Sequence, residues 1–301
     1  MSYFIGIDLG GSSVKAIAVT QDGEKLAQQN LDFDAAEGMQ WAEHVASIVR
    51  ELEREQGSPA AELGLSAPGL AARDAQAIAC MPGRLQGLVG LDWTDFLKRE
   101  NPVQVLNDGH AALMGEAWLG AGQGGNDVIM LTLGTGVGGA ALVEGNLLRG
   151  NIGRAGHFGH ISLNPEGEPD ICGTPASLEM AIGNCTIETR SKGRFKSTHE
   201  LVSAHLVGDE EASRIWLKSV KALAAGVTGL INVLDPEIVI IGGGIARAGD
   251  ALFKPLAEFL DAMEWRPMGS AVRIAPAELG ELAGAYGAAS SSIRFAKKDT
   301  A

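Results

Sequence analysis

Ile5-Gly6-Ile7-Asp8-Leu9-Gly10-Gly11-Ser12-Ser13 opens this chain, and Met130-Leu131-Thr132-Leu133-Gly134-Thr135-Gly136-Val137-Gly138-Gly139 repeats its pattern in the middle. Each is an apolar strand running into glycines and then into a second apolar strand, Val14 to Val19 and Ala140 to Val143. At one constant, gap-free offset Leu9 falls on Leu133, Gly10 on Gly134, Ala16 on Ala140 and Val19 on Val143. Turn residues follow in both copies, Asp22-Gly23 and Glu144-Gly145-Asn146, which predicts a further hairpin in each. A duplicated strand–glycine turn–strand–turn–strand unit implies two related domains. Glycine turns expose backbone N–H groups, and a pair of them facing one cleft is suited to gripping a polyphosphate.

Between and beyond the repeats, strands alternate with helices. Trp41, Val45, Ile48, Val49 and Leu52 recur at helical spacing, and Gly57 follows them. Leu63 to Ala67 and Val103 to Leu106 read as short buried strands, and Ala111 to Leu119 as a helix. In the second half Asp209 is a good N-cap for a stripe of Trp216, Val220, Leu223, Val227, Leu230, Ile231 and Leu234, which Asp235-Pro236 ends. Glu237 to Ile241 reads as a strand, with a helix expected from near Ile245, and the Ala- and Gly-rich Leu279 to Phe295 as a closely packed helix. The class is α/β. Residues 1–118 and 119–301 are the expected domains, with the last helix, about 284–301, returning to the first.

The chain has 301 residues, 46% of them hydrophobic and 20% charged, as expected of an ordinary globular protein. A net charge of −13 argues against a nucleic-acid surface, which needs clustered Lys and Arg. It leaves room for a nucleotide held by backbone N–H groups and a metal ion. The three cysteines are too few for a disulfide framework. No uninterrupted apolar run of about 18 residues is present and no leader is evident, so a cytoplasmic protein without a membrane span is expected.

Several residues carry candidate chemistry, each beside a plainer role. Gly134-x-Gly136-x-x-Gly139 fits the dinucleotide fingerprint as a string, but a strand follows it where that fingerprint needs a helix. Asp8, where a strand meets the first turn, is an Asx-turn residue or a contact to a Mg²⁺–nucleotide complex. Asp108, after Asn107 at a strand tip, is a helix cap or a catalytic base. His157-Phe158-Gly159-His160 lacks two ligands for a tetrahedral zinc site and suits a polar ligand pocket better. Glu179 is uninformative by itself.

Together and in this order, the pieces resemble the ROK family of sugar kinases and repressors, over essentially the whole chain. Asp8-Leu9-Gly10-Gly11-Ser12 is similar to the family's DxGGT phosphate motif, with Ser for Thr. Asn107-Asp108 matches its ND motif, and Leu133 to Gly139 its second phosphate motif. Asn232 to Glu237 with Ile240 to Gly244 matches the segment at the adenosine end. The ExGH sugar motif is altered, with His157 for its glutamate. The cysteine-rich zinc motif, CxCGxxGCxE, is reduced to Asp170-Ile171-Cys172-Gly173-Thr174-Pro175-Ala176-Ser177-Leu178-Glu179, with one cysteine of three and the terminal glutamate left. Structural zinc is therefore expected to be absent.

The resemblance implies a two-domain actin-like ATPase fold, related to ribonuclease H, with duplicated β-β-β-α units and a central cleft. It implies ATP-dependent phosphorylation of a hexose, glucose at the 6-hydroxyl by default, in a homo-oligomer such as a dimer. Asp108 is then the base, and Asn107, His157, His160 and Glu179 contact the sugar beside it. Gly10, Gly11, Ser12, Gly134, Thr135 and Gly136 cradle the phosphates of ATP, Gly243 and Gly244 approach the nucleoside, and Asp8 holds Mg²⁺. Another hexose or an N-acetylhexosamine is the alternative substrate. A sugar-sensing regulator without catalysis is a further reading; repressor members carry a helix-turn-helix ahead of the first glycine strand, where this chain begins.

Overall fold

The computed structural model describes residues 2–81, 83 and 85–299. The chain divides into two compact units. One comprises residues 1–124, 149–155 and 278–301, the other 125–148 and 156–277.

In the first unit the order is β1 (Phe4–Leu9), β2 (Ser13–Val19), β3 (Lys25–Asp32), α1 (Gln40–Gln56), β4 (Glu62–Ala67), β5 (Leu70–Ala71), β6 (Ile78–Cys80), α2 (Trp93–Phe96), β7 (Gln104–Asn107) and α3 (Asp108–Leu119). Five strands form a sheet in the order β3-β2-β1-β4-β7. β1, β2 and β3 pair antiparallel, whereas β4 and β7 run parallel to β1. The composition explains the placement. β1, β4 and β7 are nearly continuous apolar runs and lie buried, while β3, with Lys25, Gln28 and Gln29, is the exposed edge. The predicted stripe of α1 covers the sheet, and Trp41 meets Trp93 edge to face at 6.0 Å.

The second unit holds β8 (Val128–Leu133), β9 (Val137–Val143), β10 (Asn146–Leu147), α4 (Leu178–Ile182), α5 (Ile187–Arg190), α6 (Thr198–Leu206), α7 (Glu210–Leu234), β11 (Ile238–Gly242), α8 (Asp250–Met263) and β12 (Arg273–Pro276). Its sheet order, β10-β9-β8-β11-β12, has the same sense of pairing as the first: an antiparallel meander, then two parallel strands. Asp209 caps α7 by accepting from Ala212 N–H at 2.8 Å. α7 is long and apolar enough to cross a membrane, yet Trp216, Val220, Leu223 and Val227 are fully buried in the core of this unit. Its stripe is core packing.

Two sequence expectations need correction. The repeats do not superimpose without a gap. Leu9 pairs with Val14, but Leu133 pairs with Val137, so the first turn carries one residue more. Ala16 therefore corresponds to Gly139 and not to Ala140, a slip that in a strand would exchange its two faces. The glycine runs conceal it. The helix expected from Ile245 is a 3₁₀ turn, Gly244–Ala248; Gly249, with φ +56°, breaks the chain before α8 begins at Asp250.

The final helix, α9 (Ala283–Asp299), belongs to the first unit and packs on β1, β4 and α3. A Cβ on Gly6 of β1 or Gly64 of β4 would collide with the carbonyls of Ala285 and Ala288. The Ala- and Gly-rich composition of this segment is what that backbone-to-backbone approach requires.

Candidate active site

The first glycine turn is closed by Gly10 N–H donating to Ser13 O at 2.8 Å, and Ser12 O accepts from Phe33 N–H at 2.9 Å. Gly11 and Ser12 remain exposed between them. Asp8, one residue before the end of β1, takes the Oγ–H of fully buried Ser66 on Oδ1 at 2.7 Å. Gly284, in the first turn of α9, lies against this carboxylate, where any side chain would clash. Burial pushes the Asp8 carboxyl up to about 6; the Ser66 bond opposes this, the Asp108 charge reinforces it and Lys15 opposes it. The ionised form therefore gains more than an ordinary surface carboxylate from a nearby cation. Asp8 fits the role of a Mg²⁺ contact on that ground.

At the tip of β7 the capping falls mainly to Asn107, although Asp108 Oδ1 also accepts from Gly109 N–H at 2.8 Å. Asn107 is the N-cap of α3: its Oδ1 accepts from Gly109 N–H at 2.9 Å and from His110 N–H at 3.3 Å. Its Nδ2 donates to Gly69 O at 2.9 Å and to Asp108 Oδ1 at 2.8 Å. Buried Asn107 is thus committed to fixing the strand–helix junction. Asp108 is the first residue of α3, solvent-exposed, and close enough to Asp8 to raise its pKa.

Sequence reasoning missed Glu116, whose fully buried carboxylate accepts from Ala121 N–H at 2.9 Å and Leu279 N–H at 2.8 Å. It ties down the segment leading into α9. A lone carboxylate in the apolar run Ala111 to Leu119 was the available signal.

In the second unit, Gly134 N–H donates to Gly136 O at 2.9 Å, closing the other turn. Its outer carbonyls are held from below, Gly134 O by Asn184 N–H at 3.0 Å and Thr135 O by Cys185 N–H at 2.8 Å. Glu179, on α4, accepts from Val137 N–H on Oε2 at 2.9 Å. Gly243, with φ +86°, passes so near Leu133 O that a side chain has no room. Gly134, Thr135 and Gly244 come together on the wall of a cavity of about 540 Å³. Its remaining wall includes Asn184, Thr198, His199, Val202, Ile245 and Arg247, none of which was expected at the site from the sequence. Half of these come from α6, a helix without a strong pattern. Thr198 Oγ1 is buried there with no hydrogen-bond partner among the described residues.

The segment from His157 to Glu179 is a compact loop. Leu178 N–H donates to Ile161 O at 3.0 Å and Leu163 N–H to Ala176 O at 3.0 Å, which closes its neck. At its centre His160 Nδ1 meets Asp170 Oδ2 at 2.7 Å, and His160 Nε2 lies 3.6 Å from Cys172 Sγ. Asp170 Oδ1 accepts from Cys172 N–H at 2.8 Å and Thr174 N–H at 2.9 Å. Burial acts to raise the Asp170 pKa, but the bonds from His160, Ser177, Thr174 and Cys172 outweigh it and hold the group at about 2. Both ring nitrogens of His160 are engaged, whereas half-buried His157 precedes the 3₁₀ turn Phe158–His160.

His160, Asp170 and Cys172 bring one ligand atom each within 4.8 Å of one another. They do not fit the structural zinc that the family motif implies. Both Asp170 oxygens already serve hydrogen bonds. Burial, then the charges of Asp170 and Glu179, push the Cys172 thiol up and away from the thiolate that zinc needs. The last cysteine of the motif is Ser177, whose hydroxyl caps α4. Hydrogen bonds close this loop.

The sequence matches the ROK family over residues 4–294. It is 33% identical to the glucokinase of Thermotoga maritima over 95% of this chain and 96% of that one. Among solved structures it is similar to the ROK hexokinase of Thermus thermophilus, at 29% identity, with a TM-score of 0.88 and coverage of 98% and 99% of the two chains. It is also similar to a ROK family glucokinase from Streptomyces griseus in complex with glucose and AMPPNP, at 26% identity and a TM-score of 0.77, covering 97% of this chain and 100% of that one. The fold is that of the actin-like ATPases.

Proposed function

The chain belongs to the ROK family, and on that premise we propose that it transfers the γ-phosphoryl group of ATP to a hexose, with glucose at its 6-hydroxyl as the first substrate. The observation that carries the reading is the division of labour at the tip of β7. Asn107 caps the helix, and exposed Asp108, accepting from Asn107 Nδ2 and Gly109 N–H on Oδ1, is held in place beside the Asp8 of a glycine turn. Asp108 accepts the proton of the attacking hydroxyl as the sugar oxygen forms its bond to phosphorus. The bond between phosphorus and the bridging oxygen breaks, and ADP leaves. Such transfers depend on alignment and charge stabilisation more than on covalent help from the protein.

The backbone N–H groups of Gly10, Gly11 and Ser12 and of Gly134, Thr135 and Gly136 suit the phosphates. Gly244 in the cavity wall suits a close approach of the nucleoside, Gly243 lets the chain pass Leu133 to place it, and the orphan Thr198 hydroxyl suits one of the nucleoside's polar atoms. Mg²⁺ held at Asp8 would supply charge neutralisation at the phosphates. His157 and Glu179 are the sugar contacts with most to offer in this reading. Asn107 and His160, whose side-chain polar atoms are already engaged, contribute by fixing the tip of β7 and the loop after His157. A cytoplasmic homodimer without a nucleic-acid partner completes the proposal.

A coupled assay of ADP release with ATP, Mg²⁺ and a panel of hexoses tests it. Glucose is expected to accelerate ADP formation most. ADP formation that no hexose accelerates contradicts the proposal. A second reading keeps the reaction and changes the sugar to another hexose or an N-acetylhexosamine. His157 favours it, since an imidazole donates as well as accepts where the family's glutamate only accepts. The same panel separates the two.

A further inference from the structure

A second cavity, of about 320 Å³, opens beside α4, α5 and α7 and shares no lining residue with the one at the second glycine turn. Half-buried Arg190 stands in its wall. The guanidinium donates from Nε to Thr186 Oγ1 at 3.0 Å, from Nη1 to Ser219 Oγ at 2.6 Å, and from Nη2 to Ile182 O at 3.2 Å and Gly183 O at 2.9 Å. The two carbonyls lie at the C-terminal end of α4, so part of its role is to close that helix. All four acceptors are neutral. They take four of the five N–H donors, leave one on Nη1 and do not compensate the charge, and burial lowers the Arg190 pKa to about 10.

Two more cations stand at the same cavity, Arg214 and Lys218, four residues apart on α7. Lys218 is exposed, and the Arg214 pair with Glu211 is an exposed one of the kind worth little. Leu163 and Ile215 give the cavity an apolar side. In a chain of net charge −13, three cations against the one Glu211 carboxylate, around a concave site with an apolar wall, form a local reversal of sign.

We infer that this cavity binds a small organic phosphate, its dianionic head on Arg190, Arg214 and Lys218 and its carbon portion on Leu163 and Ile215. Three cations match a dianion better than a single carboxylate, and charge-assisted hydrogen bonds from cationic side chains to an oxyanion are the strong ones. The inference is independent of the phosphoryl-transfer reading.

Phenyl phosphate is the probe, titrated calorimetrically into the full chain at low ionic strength. Saturable one-to-one binding is expected, weakened by roughly tenfold or more in the double variant Arg214→Ala/Lys218→Ala. Both changes are at exposed side chains, and an unaltered circular dichroism spectrum checks the fold. Benzoate, with the same ring and one charge, is expected to bind more weakly. Equal affinity in the double variant places the anion elsewhere and overturns the inference. So does an absence of saturable binding to the unaltered chain, or tighter binding of benzoate.

Discussion

The two glycine turns are built on the same strand order, but the carboxylates behind them come from different places and do different things. Behind the first turn, Asp8 belongs to the strand itself, enclosed by Ser66 and the first turn of α9, with its pKa raised to about 6. Behind the second, Glu179 arrives from α4 and spends one oxygen on the Val137 N–H. One carboxylate is held in an environment that makes its charge responsive to a cation. The other braces a backbone. The two sheets thus share their strand order, while the turns differ both in chemistry and in length, by the extra residue between Leu9 and Val14.

Substitutions at the two carboxylates can break this comparison. Asp8→Asn is expected to lower ATP-dependent turnover by roughly 10²-fold, through loss of a metal contact, in steady-state assays at saturating hexose. The same substitution should stabilise the free protein at neutral pH. Between pH about 4 and about 6 the folded chain holds the Asp8 proton and the unfolded chain does not, so stability falls as pH rises through that window. The shift corresponds to about 3 kcal/mol, which Asp8→Asn recovers above pH 6. Thermal melts of both proteins at pH 4 and pH 7.5 would show it, and an equal difference between the two proteins at both pH values contradicts the raised pKa.

Smaller effects sharpen the other side. Asp170→Ala should destabilise the second unit by about 2 kcal/mol, because Cys172 N–H, Thr174 N–H and His160 lose their common acceptor. Chemical denaturation measures this. Glu179→Gln keeps an acceptor for Val137 N–H and should raise the hexose KM by roughly tenfold while leaving the ATP KM within about twofold. The smallest expected effect is that of a chelator: EDTA should leave the melting temperature unchanged, and stoichiometric zinc in purified protein contradicts the hydrogen-bonded reading of the loop.

Much of this was legible in the sequence because it rests on local rules. The glycine turns, the stripes of α1 and α7, and the Asn107-Asp108 tip each follow from periodicity or turn chemistry within a few residues. The register difference between the repeats was hidden, since a run of glycines aligns equally well with or without a gap. The first turn of α9 on Asp8 joins residues at opposite ends of the chain, and no local pattern marks such a pair. Asp170 reaches His160 within an aperiodic loop, where only folded geometry brings them together. Part of the wall of the cavity at Gly134 comes from α6, whose short stretch carries no distinct apolar stripe.

The proposed reaction stands on Asp108 as the group that takes the hydroxyl proton, and Asp108→Asn tests that most directly. Turnover with ATP and glucose is measured beside the glucose affinity of the same variant, by calorimetry. Loss of roughly 10²–10⁴-fold in kcat, with glucose affinity changed by no more than about threefold, is the predicted result. Turnover equal to that of the unaltered chain would contradict it.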